Sequence, residues 1–128
     1  MERAEILGVT FDNITMRQAV DRTMELIRSG RTAFVVTPNA EIAYDCIKDR
    51  EFRELINKAD LVIPDGAGVV LASKILKTPL RQKVAGIELA EALLPELAKQ
   101  GKKLFLLGAK PGVAERAAEK MEQIAPGL

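Results

Sequence analysis

Residues 61–73 read LVIPDGAGVVLAS. A short, wholly apolar run at 61–63 is followed by a turn with one aspartate and two glycines, and then by a second apolar run. A strand of this kind is typical of a parallel sheet, because helices cover both of its faces. The turn places a carboxylate, Asp65, at the end of the strand. Asp65 is therefore either an ordinary turn or capping residue, or a carboxylate presented for chemistry.

The same alternation of apolar strands and amphipathic helices continues in both directions along the chain. Strands are predicted at 5–11, 33–36, 61–63 and 103–107, and helices from Thr15, from Ala40, around Phe52, at about 69–76, at about 88–99 and after Gly112. This pattern predicts one domain, residues 1–128, with a Rossmann-like α/β fold in which helices cover both faces of a parallel sheet. The chain stops where a further strand would begin, so we expect a sheet that is truncated at its C-terminus.

The composition excludes several classes of function. Nineteen basic residues face eighteen acidic ones, a balance that provides no general attraction for nucleic acid or an anionic membrane. The chain has no histidine, which removes Ser-His-Asp and Cys-His catalysis. A general base must therefore be a carboxylate, a lysine, a tyrosine or the single cysteine, Cys46, which we expect to be a buried structural thiol.

Three of the predicted strands end in marked turns, within VVTPNAE (35–41), LVIPDGAG (61–68) and LLGAKPGVAE (106–115). The carboxyl ends of parallel strands lie along one edge of a sheet, where ligands bind. We therefore expect Thr37, Asn39, Asp65 and the backbone of 108–112 to converge on one crevice.

Each of these turns also has a purely structural interpretation. Asn39 and Asp65 are both suitable N-caps for the helices that follow them, and the glycines permit tight turns. GAKPG does not match the GxGxxG fingerprint, so a nicotinamide cofactor is poorly supported. The backbone of that turn remains suited to a phosphate. Arg81 and Lys83 lie in a loop, where they are either solvated or available to an anion.

Five stretches of the chain, taken in order, carry a family resemblance. They are GVTFDNITMRQAV, TPNAEI, PDGAGVVLASK, KVAGIEL and LLGAKPGVAE, and together they extend over essentially the whole chain. With these stretches the chain resembles the WecG/TagA/CpsF glycosyltransferases, glycosyltransferase family 26.

The resemblance implies an inverting, β-1,4-forming transfer of N-acetylmannosamine from UDP-N-acetylmannosamine to N-acetylglucosamine on undecaprenyl diphosphate. In Gram-positive bacteria this step belongs to the synthesis of the wall teichoic acid linkage unit. We accordingly expect a metal-independent enzyme without a cofactor, in the cytoplasm at the inner face of the membrane. Its expected partners are the donor and the lipid-linked acceptor, with no nucleic acid, and self-association is open.

The resemblance also implies roles for particular residues. Asp65 matches the aspartate that is the candidate catalytic base of the family. Thr37 and Asn39 match the motif that lines the sugar and acceptor pocket, and Thr37 is expected to be catalytic as well. Lys83 stands where we expect an arginine, so it keeps the positive charge and lacks the bidentate fork. Gly108 and Gly112 are expected to contact substrate through their backbone.

Members of the family are longer than this chain, and segments for UDP binding and membrane docking are expected beyond residue 128. We therefore expect a catalytically incomplete N-terminal portion.

Two alternatives stay open. The first keeps the same chemistry with another donor sugar, N-acetylmannosaminuronic acid or glucose. The second is a protein of another class, a non-catalytic nucleotide-sugar-binding module in which Asp65 only caps the helix that follows it.

Overall fold

A computed structural model describes residues 2–128, which form a mixed α/β structure of six helices and four short strands. The strands are β1 (Arg3–Ile6), β2 (Val9–Asp12), β3 (Val35–Val36) and β4 (Leu61–Val62), and the helices are α1 (Met16–Arg28), α2 (Ala40–Lys48), α3 (Arg50–Asn57), α4 (Ala67–Ile75), α5 (Gly86–Lys99) and α6 (Val113–Ile124). None of the helices in residues 2–128 has the length and apolar character needed to cross a membrane. The chain divides into two compact units, of which the first ends at Leu89 and the second is Ala90–Leu128.

The segment predicted as one strand, 5–11, is a hairpin instead. Strands β1 and β2 pair antiparallel, with Arg3 opposite Asp12 and Ile6 opposite Val9. The turn residues Leu7 and Gly8 both have positive φ, 56° and 83°, as a two-residue type I′ turn requires. Leu-Gly lacks the asparagine or aspartate that usually marks such a turn, so the sequence pattern did not reveal it.

The prediction of parallel strands is confirmed for one pair. In β3 and β4, Val35 lies opposite Leu61 and Val36 opposite Val62. Just past the pair, the Ile63 N–H donates to the Val36 carbonyl at 2.9 Å. The first unit thus contains one parallel strand pair, with α2 after β3 and α4 after β4.

The predicted strand at 103–107 is wrong for the structure as described. No strand occurs within Ala90–Leu128, so this apolar segment has no neighbour within its own unit to complete a ladder of hydrogen bonds. Its side chains are correspondingly open to solvent, with Phe105 84% and Leu107 91% exposed.

The hydrophobic core of the first unit connects the hairpin to the parallel pair. Apolar residues of the hairpin, α2, β4 and α4 form one buried cluster that includes Ile6, Val9, Phe11, Ala43, Cys46, Val62 and Val69. The prediction that Cys46 is a buried thiol is confirmed, and burial raises the pKa of Cys46. Asp12 is only 2% exposed, and its carboxylate accepts hydrogen bonds from the Val62 N–H at 2.8 Å and from Arg3 Nε at 3.2 Å.

Helix starts follow the local sequence where a polar cap is present. Thr15 caps α1 in the predicted capping box with Gln18, in which each side chain accepts from the other's backbone N–H. Asn39 caps α2, since its Oδ1 accepts from the Ile42 N–H at 2.9 Å. Helix α4 begins after Gly66, which has φ 105° and offers no side-chain cap.

Candidate functional site

The turns after β3 and β4 lie against each other. The Asp65 N–H donates to the Pro38 carbonyl at 3.2 Å, which joins the PDG turn to the TPN turn. The glycines allow this close approach, because a Cβ added to Gly68 would lie 3.1 Å from the Cβ of Ala40. The structure therefore brings Thr37, Asn39 and Asp65 into one region, as the parallel pairing requires.

A third segment, residues 84–86, completes this region. The Val84 N–H donates to the Pro64 carbonyl at 3.0 Å, and the Gly86 N–H donates to Asp65 Oδ2 at 3.1 Å. Thr37 packs closely against Gly86. A Cβ added to Gly86 would lie 3.0 Å from Thr37 Cγ2 and 3.1 Å from Thr37 Oγ1. A side chain at position 86 would therefore require Thr37 or the start of α5 to shift by a few tenths of an ångström.

The environment of Asp65 differs from the capping role considered for it. The N-cap of α4 is Gly66, and Asp65 makes no side-chain bond to that helix. Its Oδ2 bonds instead to the first residue of α5, far along the chain, so the expected local cap is wrong for Asp65. Asp65 is half-buried, and no donor within residues 2–128 contacts its Oδ1.

Three helices begin in this region. Helix α2 starts after Asn39, α4 starts after Gly66 and α5 starts at Gly86. The N-terminus of a helix carries partial positive charge and unbonded N–H groups, which favour a carboxylate or a phosphate oxygen. The region thus combines a carboxylate with one free oxygen, a threonine hydroxyl and three helix N-termini. This combination can bind a polar or anionic ligand.

Lys83 lies at the edge of this region. It is exposed and precedes Val84, which is fully buried and whose N–H bonds to Pro64. Within residues 2–128 Lys83 takes part in no ion pair, so its ammonium group is available to solvent or to an anion.

The other two predicted site residues, Gly108 and Gly112, belong to the second unit. Their φ values are 119° and 87°, so both positions need the freedom of glycine. Gly112 is the N-cap of α6 and leaves the first turn of that helix without a side-chain cap. The structure thus places both glycines in the segment that precedes α6 in the second unit.

Two further observations concern possible sites elsewhere. A groove of about 630 Å³ in the second unit is lined largely by apolar residues, among them Leu104, Phe105, Leu106 and Met121. Its lining contains none of the predicted site residues and no carboxylate except Glu122, so its chemistry suits apolar contact. Within residues 2–128 no group of three or more histidine, cysteine, aspartate or glutamate side chains is placed to hold a metal ion.

Reasoning from the residues did not identify Gly86 as part of the site. Its backbone N–H and its lack of a side chain both matter, and neither is visible in residue chemistry alone. The signal in the sequence is its place in KVAGIEL, one of the stretches that carry the family resemblance.

Comparisons with known proteins identify the family of the chain. Residues 4–128 match the model of the glycosyl transferase WecG/TagA/CpsF family. The chain is 40% identical to proteins from Staphylococcus aureus strains NCTC 8325 / PS 47, COL and MRSA252, over 98% of this chain and 50% of each relative. Each is named N-acetylglucosaminyldiphosphoundecaprenol N-acetyl-beta-D-mannosaminyltransferase. The chain thus spans about half the length of the curated relatives it matches.

Proposed function

Because the chain belongs to the WecG/TagA/CpsF glycosyltransferase family, we propose that it carries the acceptor-activating part of an inverting glycosyltransferase. The proposed reaction moves N-acetylmannosamine from UDP-N-acetylmannosamine to N-acetylglucosamine on undecaprenyl diphosphate. The names of the S. aureus relatives support the sugar and the lipid-linked acceptor. The UDP donor and the β-1,4 linkage are part of the proposal, as is service in wall teichoic acid synthesis at the inner face of the bacterial membrane.

The observation that carries the proposal is the geometry of Asp65. One carboxylate oxygen is fixed by the Gly86 N–H at 3.1 Å, and the other contacts no donor within residues 2–128. A general base needs both properties, because it must be held in place and still accept a proton. The turn that presents Asp65 follows β4 directly and is tied to Pro38 and Val84, which limits its freedom to move.

The proposed chemistry uses the free oxygen of Asp65. As the acceptor hydroxyl oxygen attacks the anomeric carbon of N-acetylmannosamine, Asp65 Oδ1 takes the hydroxyl proton. The new carbon–oxygen bond forms while the bond from the anomeric carbon to the UDP oxygen breaks, so UDP leaves with that electron pair and the configuration inverts. We propose that the Thr37 hydroxyl, which lies close to Gly86, orients the acceptor or the donor sugar.

The departing UDP carries negative charge that the protein must stabilise. We propose that Lys83 and the starts of α2, α4 and α5 supply this stabilisation near Asp65. A backbone contact of Gly108 and Gly112 with substrate is a separate proposal for the second unit. We propose that the reaction needs no metal ion. We also propose that β3 and β4 belong to a Rossmann-like sheet, since α2 and α4 follow them as that fold requires.

The proposal is tested by measuring transfer of labelled N-acetylmannosamine to a short-chain lipid diphosphate-N-acetylglucosamine. The chain is assayed as it stands, and also as a chimera continued by the second half of the S. aureus relative. UDP release and labelled product are expected from the chimera, and both are expected to be lost in Asp65→Asn. Asp49→Asn is the matched control, because Asp49 caps α3 through a bond to the Phe52 N–H at 3.0 Å and lies outside the site.

One observation favours a non-catalytic role and gives the assay its second outcome. The bond from the Gly86 N–H shows that Asp65 caps α5, which is a sufficient structural reason for a carboxylate at this position. If Asp65→Asn keeps full transfer, Asp65 is a cap and the assignment of the base fails. If no UDP-sugar supports transfer and the chimera still binds UDP, the chain is a binding module. Turnover with UDP-N-acetylmannosaminuronic acid or UDP-glucose alone would change the donor and keep the mechanism.

A further inference from the structure

The segment that follows Asp65 carries a local excess of positive charge. Between Gly66 and Ile87 the chain has four basic residues, Lys74, Lys77, Arg81 and Lys83, and no aspartate or glutamate. The whole chain has a net charge of only +1, so this segment departs from the average. Arg81 is partly compensated, since its Nη2 lies 3.0 Å from Glu2 Oε2. The three lysines take part in no ion pair within the part of the chain that the structure describes.

The same segment exposes large apolar side chains. Ile75 at 71%, Ile87 at 66% and Leu71 at 60% are the most exposed large hydrophobic residues described in the first unit. On α4, Ala67, Leu71 and Ile75 recur at intervals of four residues and therefore form one exposed stripe. Val69 and Ser73 lie on the buried side of the same helix. Lys74 and Lys77 lie beside the exposed stripe in sequence and are themselves exposed.

This stripe leads away from the candidate site. It begins at Ala67, two residues after Asp65, and extends to Ile75, a length of roughly 12 Å along the helix. Ile87 follows Gly86, whose N–H bonds to Asp65, so a second exposed aliphatic side chain starts from the same region. Glu88 ends the acid-free segment beyond Ile87. The Thr78 hydroxyl, just after α4, donates to the backbone carbonyl of Glu5 in β1 at 3.3 Å, so this bond joins the segment to the hairpin.

We propose that the exposed stripe of α4, with Lys74 and Lys77, is a docking surface for an anionic lipid bilayer. Aliphatic side chains flanked by lysines are the composition of a surface that lies in the headgroup region, where apolar burial and attraction to anionic lipids add together. The inference rests on the proposed function, because a lipid-linked acceptor presents its sugar at the membrane surface. A surface that begins two residues from Asp65 would bring that sugar to the proposed base.

The test is co-sedimentation of the chain with vesicles in the absence of any sugar donor. Vesicles of phosphatidylglycerol and phosphatidylcholine in equal parts are compared with vesicles of phosphatidylcholine alone. The chain is expected to sediment with the anionic vesicles and not with the neutral ones, and high salt is expected to weaken the binding. Failure to bind anionic vesicles, or equal binding to both kinds, would overturn the proposal.

Two variants locate the contact on α4. Leu71→Gln with Ile75→Gln is expected to weaken binding at least about tenfold, because both aliphatic groups are lost from the contact. Lys74→Gln with Lys77→Gln is expected to weaken it about fivefold for each lysine and to remove most of the salt dependence. All four side chains are exposed, and circular dichroism checks that each variant keeps its fold.

The matched control is Phe105→Gln with Leu107→Gln in the second unit. These side chains are even more exposed than the α4 stripe, and they would account for any general stickiness of the chain. Equal loss of vesicle binding in the control and in the α4 variants would overturn the assignment to α4. Sedimentation velocity adds a further arm: if the α4 variants change the oligomeric state and leave vesicle binding intact, the surface joins two copies and the bilayer proposal fails.

The two proposals fail separately. Vesicle binding requires no catalysis, so loss of transfer with intact α4-dependent binding would count against the glycosyltransferase function alone. Conversely, the chimera with the α4 variants is expected to retain transfer to a water-soluble acceptor and to lose transfer to a vesicle-embedded one. Equal transfer by the α4 variants to both acceptors would count against the docking surface alone.

Discussion

The backbone N–H of Gly86 donates to Oδ2 of Asp65 at 3.1 Å, and this bond joins the turn after β4 to the first residue of α5. The bond fixes one oxygen of a half-buried carboxylate and leaves the other without a donor within residues 2–128. It also means that the same carboxylate caps a helix and keeps one oxygen free, as the proposed role as a base requires. Substitutions at the two residues therefore separate stability from chemistry.

Asp65→Asn is expected to leave the free energy of unfolding nearly unchanged, whereas Asp65→Ala is expected to lower it by about 1 kcal/mol. Asparagine keeps an oxygen that can accept from the Gly86 N–H, and alanine leaves that N–H without its partner. Urea denaturation of the three proteins measures the difference. A substantial loss of stability in Asp65→Asn would show that the negative charge, rather than the hydrogen bond, stabilises the start of α5.

Gly86→Ala is expected to lower stability by about 1–3 kcal/mol through overpacking, although alanine is the better helix former. The added Cβ would lie 3.0 Å from Thr37 Cγ2 and 3.2 Å from Thr37 Cβ, so Thr37 or the start of α5 must move. Thermal denaturation measures the loss. Thr37→Ala removes Cγ2 and Oγ1, the two atoms nearest to the added Cβ, so Thr37→Ala with Gly86→Ala should recover part of the lost stability. If the double variant recovers none, the loss does not come from contact with Thr37.

Asp12→Ala is expected to lower the free energy of unfolding by about 2 kcal/mol, because it leaves the buried Val62 N–H without an acceptor. The Asp12 carboxylate bonds to Val62 at 2.8 Å and to Arg3 at 3.2 Å, so it connects the hairpin to β4. Urea denaturation tests the value. Asp21→Ala is the control, because Asp21 pairs with Arg17 on the exposed face of α1 and should matter by less than about 0.5 kcal/mol. Equal effects of the two changes would contradict the connecting role of Asp12.

The fold was predictable from sequence where the local signal and the packing agree. The capping box at Thr15 and Gln18, the Asn39 cap and the alternation of β3, α2, β4 and α4 all follow from residue type and spacing. The hairpin was missed because its turn residues, Leu7 and Gly8, do not carry the usual turn chemistry. The strand predicted at 103–107 failed because an apolar run becomes a strand only when a neighbour supplies hydrogen bonds.

The candidate site was predictable only in part, for a related reason. Parallel strand ends were expected to bring Thr37, Asn39 and Asp65 together, and they do so through the bond between Asp65 and Pro38. The contribution of Gly86 depends on a distant backbone N–H and on a gap beside Thr37, and both arise from tertiary packing. Catalytic and binding roles for these residues, and for Lys83, Gly108 and Gly112, stay predictions that the transfer assay addresses.

Acid is expected to destabilise the chain partly through Asp60, which joins the starts of β3 and β4. Its Oδ1 accepts from Arg31 Nη2 at 2.6 Å and its Oδ2 from the Phe34 N–H at 3.0 Å, and these bonds hold the pKa of Asp60 below its ordinary value. A carboxyl pKa that is lower in the folded state contributes stability above the unfolded pKa, near 3.9, and that contribution disappears as the pH falls through the folded pKa. Asp60→Asn should therefore make the free energy of unfolding less dependent on pH below about pH 5. Urea denaturation below about pH 5 measures how steeply the free energy of unfolding changes with pH. Arg31→Gln should also make this dependence less steep, because the bond from Arg31 is the main cause of the lowered pKa of Asp60. An unchanged slope in Asp60→Asn would show that other carboxylates govern acid unfolding.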